Sequence, residues 1–238
     1  MTSSRRTATA VLCLLLSISF AASPLLVKGF AGFDPDQFPI PQNDPAVQPA
    51  GYAFAIWGLI YAWLIAGAGW SLWKAPRDPQ WHDMRKPLCL SLAIGTGWLA
   101  VAVLSPVWAT VLIWAMLLTA LAALFLAPAQ DPLWGAAPVG LYAGWLSAAS
   151  CVSLGVVAAG YGVLDRTMAA IVFVGLVIVV GAFVQAALRR TPTYGLAVIW
   201  ALIAVIVATY EADTIVAAVA AGGAVVMLVP TLRAFRTG

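Results

Sequence analysis

Long apolar runs alternate along this chain with short polar breaks. The runs fall at about 8–27, 50–73, 87–104, 106–126, 137–159, 168–188, 194–210 and 214–232. Most are close to the ~20 residues that carry a helix, rising 1.5 Å per residue, across a hydrocarbon core of about 30 Å. Their period and length predict helices throughout, in an all-α, polytopic integral membrane bundle of about eight transmembrane helices. The third and fourth runs meet at Ser105-Pro106, which leaves room only for an antiparallel hairpin. The first run has two readings. Arg5 and Arg6, a Leu-rich centre and Ser19-Phe20-Ala21 resemble a cleaved signal peptide, yet the run is long enough to stay as a first helix, which is the reading adopted.

The breaks differ in character. Residues 28–48 hold Asp34, Pro35, Asp36, Pro39, Pro41, Asp44 and Pro45, a density of proline that argues against regular helix and for a long loop. Residues 74–86 form a linker with Lys74, Arg77, Arg85 and Lys86, and this basic cluster is the strongest cytoplasmic marker in the chain. Counted on alternate sides with the N-terminus inside, the inner segments hold Arg5, Arg6, Lys74, Arg77, Arg85, Lys86, Arg189, Arg190, Arg233 and Arg236, and the outer ones Lys28 and Arg166. Both termini are therefore expected on the cytoplasmic side, and the loop at 28–48 outside.

Composition agrees: 63% of residues are hydrophobic, 9% charged and the mean hydropathy is +0.97, more apolar surface than a soluble domain of 238 residues can hide. The net charge of +3 sits beside the spans, where it sets orientation and gives no sign of nucleic-acid binding. Cys13, Cys89 and Cys151 lie in three different runs without metal-ligand spacing, so no metal and no cofactor is expected. The charged residues fall in or beside the breaks, which argues against proton- or ion-coupled transport. His82 is expected to be a solvated linker residue. No nucleophile, P-loop or dinucleotide motif stands in its required context, so a non-enzymatic protein is expected.

Eleven tryptophans remain to be explained. Trp70, Trp73, Trp81, Trp108, Trp134 and Trp200 lie near span ends, where an indole suits the headgroup level. Trp57, Trp98, Trp114 and Trp145 lie deeper. Phe54, Trp57 and Tyr61 share one helical stripe at spacings of three and four, and Pro138, Tyr142 and Trp145 repeat the arrangement with Ser150 further along. Two such stripes fit either plain core packing or the walls of an apolar ligand pocket. Gly140 to Gly144, and Gly95 with Gly97, fit close helix packing, and the Gly- and Ala-rich faces permit a homodimer.

The segment Pro49 to Tyr61, PAGYAFAIWGLIY, resembles the second-helix signature of the TspO/translocator-protein family, the tryptophan-rich sensory proteins or peripheral benzodiazepine receptor-like proteins, in its longer bacterial branch. Trp98 falls where that family's third helix carries its Trp, and Pro138, Tyr142 and Trp145 resemble its Pro-led aromatic segment. The resemblance covers about residues 8 to 160 and implies a five-helix bundle at 1–160, with the loop at 28–48 as a lid and residues 161–238 as an appended three-helix segment. It implies binding of porphyrins, other tetrapyrroles or sterol-like lipids, with Phe54, Trp57, Tyr61, Trp98, Tyr142, Trp145 and Ser150 as ligand-binding residues. A bacterial cytoplasmic membrane and contact with membrane lipids follow. Two family asparagines are replaced, by Gly95 and by Ser150. A transporter of a small lipophilic solute, or an assembly factor for another membrane complex, are the other functions this composition suits.

Overall fold

A computed structural model describes residues 3–27 and 32–237 of the chain. Lys28 and the first residues of the predicted outer loop lie outside the described residues. Among the described residues the protein is a bundle of eight long helices without strands: α1 (Ser3–Leu26), α2 (Ile56–Lys74), α3 (Pro79–Ala102), α4 (Pro106–Phe125), α5 (Ala137–Gly160), α6 (Arg166–Leu188), α7 (Pro192–Thr209) and α8 (Thr214–Thr237). Seven are long and apolar enough to cross a membrane. The exception is α3, whose opening turns carry His82, Asp83, Arg85 and Lys86.

The helix starts follow from capping chemistry. Asp78 accepts from the Trp81 amide (3.0 Å), Asp165 from Met168 (2.9 Å) and Ser105 from Trp108 (3.4 Å), and Pro79, Pro106 and Pro192 open α3, α4 and α7. α6 stops where Arg189 turns to a left-handed φ of 53°. The cap at Asp78 also corrects the sequence reading. The third helix begins at Pro79, not 87, so the polar break shrinks to residues 75–78 and Pro87 lies inside a helix.

The side chains of this earlier start face inward. His82 is 3% exposed with Nδ1 2.9 Å from Thr9 Oγ1 of α1, which replaces the expectation of a solvated linker residue. Arg85 is fully buried, and its Nη2 donates to the carbonyls of Ser71 (3.1 Å) and Ala75 (2.9 Å). A guanidinium therefore closes the C-terminal end of α2, where unpaired carbonyls favour a cation. Trp81, expected as a surface anchor, is buried against Trp70 (5.7 Å between ring centroids), and its indole donates to Asp131 (2.8 Å). Trp134 stacks on Trp70 as well, at 6.5 Å between centroids. Trp73 and Trp108 do stand exposed at helix ends, at 73% and 64%.

The axis of the bundle is α5, buried along most of its length. On one side of it α1 packs on α2 and α3, and α3 pairs with α4; on the other, α6, α7 and α8 pack on one another and α6 and α7 on α5. Close approach of α7 to α5 depends on glycine: a Cβ at Gly144 would lie 2.3 Å from the Tyr194 carbonyl oxygen, and one at Gly140 2.6 Å from Thr191 and Thr193. Hydroxyls pair on both flanks of α5, Ser147 with Tyr194 of α7 at 2.8 Å and Ser153 with Thr110 of α4. The buried Gln185 ties α6 to α7, accepting from the Gly195 amide (2.8 Å) and donating to the Arg190 carbonyl (3.0 Å).

Residues 32–50 cross one end of the bundle as an irregular but well-tied strap. Gln37 donates to the carbonyls of Ala102 (3.3 Å) and Val103 (2.9 Å) at the end of α3, Ile40 to Gly160 (3.0 Å) and Ala50 to Ala204 (3.0 Å), and Arg166 donates to Asp44 (2.6 Å). Phe38 sits against Gly160, where a Cβ would lie 2.3 Å from its ring.

Candidate ligand-binding site

Directly beneath the strap, four helices present rings to one space. A short 3-10 turn, Gly51–Ala55, precedes α2 and carries Phe54, whose ring meets Trp145 of α5 edge-on at 5.8 Å. One turn on, Trp57 and Tyr61 stack at 5.3 Å with 23° between planes, as their spacing of four requires. Phe20 of α1 points its edge at both, 5.7 Å from Trp57 and 5.1 Å from Tyr61. These rings, with Pro24, Val27, Gly95, Trp98, Leu99, Ile113, Met116, Leu146 and Ala149, enclose a cavity of about 380 Å³. That volume lies within the range of small-molecule sites, about 300–1,000 Å³. A smaller space of about 70 Å³ adjoins it through Phe54, Trp98, Ile113, Trp145 and Ala149 and reaches Gly32, Phe33, Gln48 and Pro49 of the strap and Ala201 of α7.

Of the seven residues singled out in the sequence, Phe54, Trp57, Tyr61, Trp98 and Trp145 line this cavity. Tyr142 and Ser150 stand behind its wall. The Tyr142 ring packs against Phe20 (5.7 Å) and Trp57 (6.3 Å), and its hydroxyl meets Ser91 at 2.9 Å. Because Ser91 donates to the Met116 carbonyl (2.8 Å), Tyr142 is the donor of that pair. Ser150 donates to the Ile113 carbonyl of α4 at 3.3 Å. Phe20 was missed, although Phe20, Pro24 and Val27 fall at helical spacing on one face of the first run. Gly95 and Gly97 separate: a Cβ at Gly95 would lie 2.6 Å from Phe20, whereas one at Gly97 would meet nothing within 4 Å.

The polar atoms of the lining are few and differ in state. Trp98 is held across the α3–α4 hairpin by its bond to the Ala109 carbonyl (2.8 Å). Trp145 is 2% exposed and its indole N–H has no partner among the described residues. A buried indole donor ordinarily finds an acceptor, but this atom has almost no accessible surface, so a molecule in the cavity meets the Trp145 ring and reaches the donor only if the ring turns. Trp114 Nε1 is likewise unpaired, but Trp114 does not line either space. The chemistry on offer is stacking, apolar contact and one or two hydrogen bonds.

Comparison with known proteins agrees with these features. The family model described as TSPO-like protein matches residues 39–233, from within the strap through α8. The chain belongs to that family. Neither curated proteins nor solved structures match the chain. The chain is thus an integral membrane protein of a TSPO-like family with an aromatic-lined cavity, which fits a ligand-binding role.

Proposed function

We propose that this protein is a non-enzymatic receptor or carrier that holds a hydrophobic planar molecule, a porphyrin or other tetrapyrrole or a sterol-like lipid, in the cavity beneath the strap. The observation that carries the reading is the ring of Phe20, Phe54, Trp57, Tyr61, Trp98 and Trp145 around a space of about 380 Å³. Flat aromatic walls match a flat ligand by stacking and area burial, without a charged group. Binding is favoured over passage through the bilayer by the packing of the opposite end, where Trp70, Trp81 and Trp134 stack and the space beside Arg85 is only about 10 Å³. In this reading residues 1–160 hold the main cavity and 161–238 form a second part packed on α5. The charge asymmetry supports both termini inside and the strap outside, in what the family resemblance implies is a bacterial cytoplasmic membrane.

Native purification followed by an absorption spectrum and mass spectrometry tests the reading. A co-purifying planar hydrophobic molecule, lost from a Trp57→Ala/Trp145→Ala variant that still folds, is the expected result. The same molecule retained at full occupancy by that variant refutes the placement of the site.

A further inference from the structure

At the strapped end a third space of about 400 Å³ opens between residues 44–51 of the strap, Arg166 at the start of α6, and Ala208, Thr209, Ala212 and Asp213 around the α7–α8 turn. Gln48 and Pro49 line both this cleft and the small space behind it, and that space in turn shares five residues with the aromatic cavity. Three spaces thus run end to end, from the strapped surface to the rings, through two shared walls. From the proposed ligand site, we infer that an amphipathic ligand enters along this line, through the cleft and past Gln48, and not sideways from the bilayer.

The two candidate barriers differ in kind. Gln48 is a flexible side chain whose carboxamide makes no hydrogen bond among the described residues; it rests over Gly32, where a Cβ would lie 3.0 Å from its Oε1 and where φ is +130°. Rotation about its own side-chain bonds clears the movable half of the wall, Pro49 being the other half. The backbone around it is pinned, by the Gln48 amide to Pro45 (2.8 Å), Ala50 to Ala204 (3.0 Å) and Arg166 to Asp44 (2.6 Å), which leaves the Gln48 side chain as the most mobile part of this wall. On the side of α1, by contrast, Phe20 is 4% exposed, wedged against Gly95 and in edge contact with Trp57, Tyr61 and Tyr142. Opening there means withdrawing a ring from three others.

The cleft also selects by chemistry. Arg166, Asp44, Thr209 and Asp213 make it polar, whereas the cavity behind is apolar, so a passing molecule must tolerate both. That describes a planar apolar body with a water-soluble edge. It gives α6, α7 and the turn that follows α7 a part in the site, since Arg166, Ala208, Thr209, Ala212 and Asp213 build the mouth.

A gate outside a binding site changes the rates of entry and exit by one factor and leaves Kd alone, because it alters the barrier and not the bound state. Gly51 lines the cleft and a Cβ there would meet nothing within 4 Å, so Gly51→Cys is the tether chosen. The native Cys13, Cys89 and Cys151 are buried, so an impermeant bulky maleimide reaches only the new thiol. Stopped-flow tryptophan quenching by protoporphyrin IX in nanodiscs is then followed before and after labelling. The expected result is that labelling slows association and dissociation together by roughly tenfold with Kd unchanged, and that Gln48→Ala speeds both. Unchanged rates after labelling, or weaker binding without matched slowing of release, overturn the route. Absence of quenching in the unlabelled protein overturns the binding reading itself, and the route with it.

Discussion

Gly95→Ala tests the wall of the cavity at its tightest point. A Cβ built there lies 2.6 Å from Phe20 Cε2, 2.9 Å from Cδ2 and 3.0 Å from Met116 Cε. Ordinary carbon contacts are about 3.5–4.0 Å, so the Phe20 ring must retreat by about 1 Å. Among the described residues the only open room beside it is the cavity it lines, and moving there breaks its edge contacts with Trp57, Tyr61 and Tyr142. Overpacking of this kind costs about 1–3 kcal/mol. Replacing a mid-helix glycine by alanine also gains about 0.5–1 kcal/mol of backbone entropy, which hides part of the cost. Gly97→Ala, two residues away on the same helix with open space around its Cβ, measures that gain alone. The difference between the two variants, about 1–3 kcal/mol against Gly95→Ala, isolates the packing. Equilibrium unfolding in mixed micelles with rising SDS, followed by circular dichroism, reads it. Phe20→Leu in the Gly95→Ala background should recover about 1 kcal/mol beyond additivity. If the two glycine variants agree within about 0.5 kcal/mol, Phe20 does not stand where the structure puts it, and the α1 wall of the cavity falls.

Other consequences lie at the opposite end. Arg85→Met strips the α2 carbonyls of Ser71 and Ala75 of their charged donor and should cost about 2–4 kcal/mol in the same assay, with Arg85→Lys recovering only part because one ammonium nitrogen cannot serve these two and also the Pro76 carbonyl, which Nη1 meets at 3.4 Å. Burial beside α1, and then the Lys86, Arg6 and Arg85 cations, hold the His82 imidazole below its usual pKa, against the opposing pull of Asp83. The folded state therefore resists protonation: His82 stabilises the fold fully above the unfolded value of about 6.5, and that contribution is lost as pH falls below it. A thermal melt of the wild type should drop on acidification through that window, and His82→Gln should flatten the response. Cysteines placed at the exposed Gln130 and Val163 should react with an impermeant maleimide from opposite faces of the membrane; labelling from one face alone breaks the eight-helix topology.

Much of the fold was legible because its stops and starts are local chemistry. Asp165, Ser105-Pro106, Pro192 and the arginines after Leu188 mark helix ends that a reader can place within a few residues. Asp78-Pro79 carries the same signal, yet the charges after it argued for a loop, because where His82 and Arg85 point depends on Thr9 and on the end of α2, far away in sequence. Trp81 misled for the same reason: its partner, Asp131, is 50 residues on. In the site, the spacing of Phe54, Trp57 and Tyr61 identified one wall, and the family resemblance identified Trp98 and Trp145. Periodicity alone could not separate the rings that face the space from Tyr142, which stands one layer back with its hydroxyl on Ser91. Nor could it show that Phe20 fills the room beside Gly95.

The central claim, that the rings beneath the strap form the ligand site, is tested most directly by titrating intrinsic tryptophan fluorescence with protoporphyrin IX in the wild type and in Trp57→Ala, Trp98→Ala and Trp145→Ala variants. Saturable quenching in the wild type, weakened about tenfold or more in each variant, is the predicted result, since one lost stacking or hydrogen-bonding partner in a buried site is worth about 1.4 kcal/mol or more. Wild-type quenching that persists with the same midpoint in all three variants would contradict it.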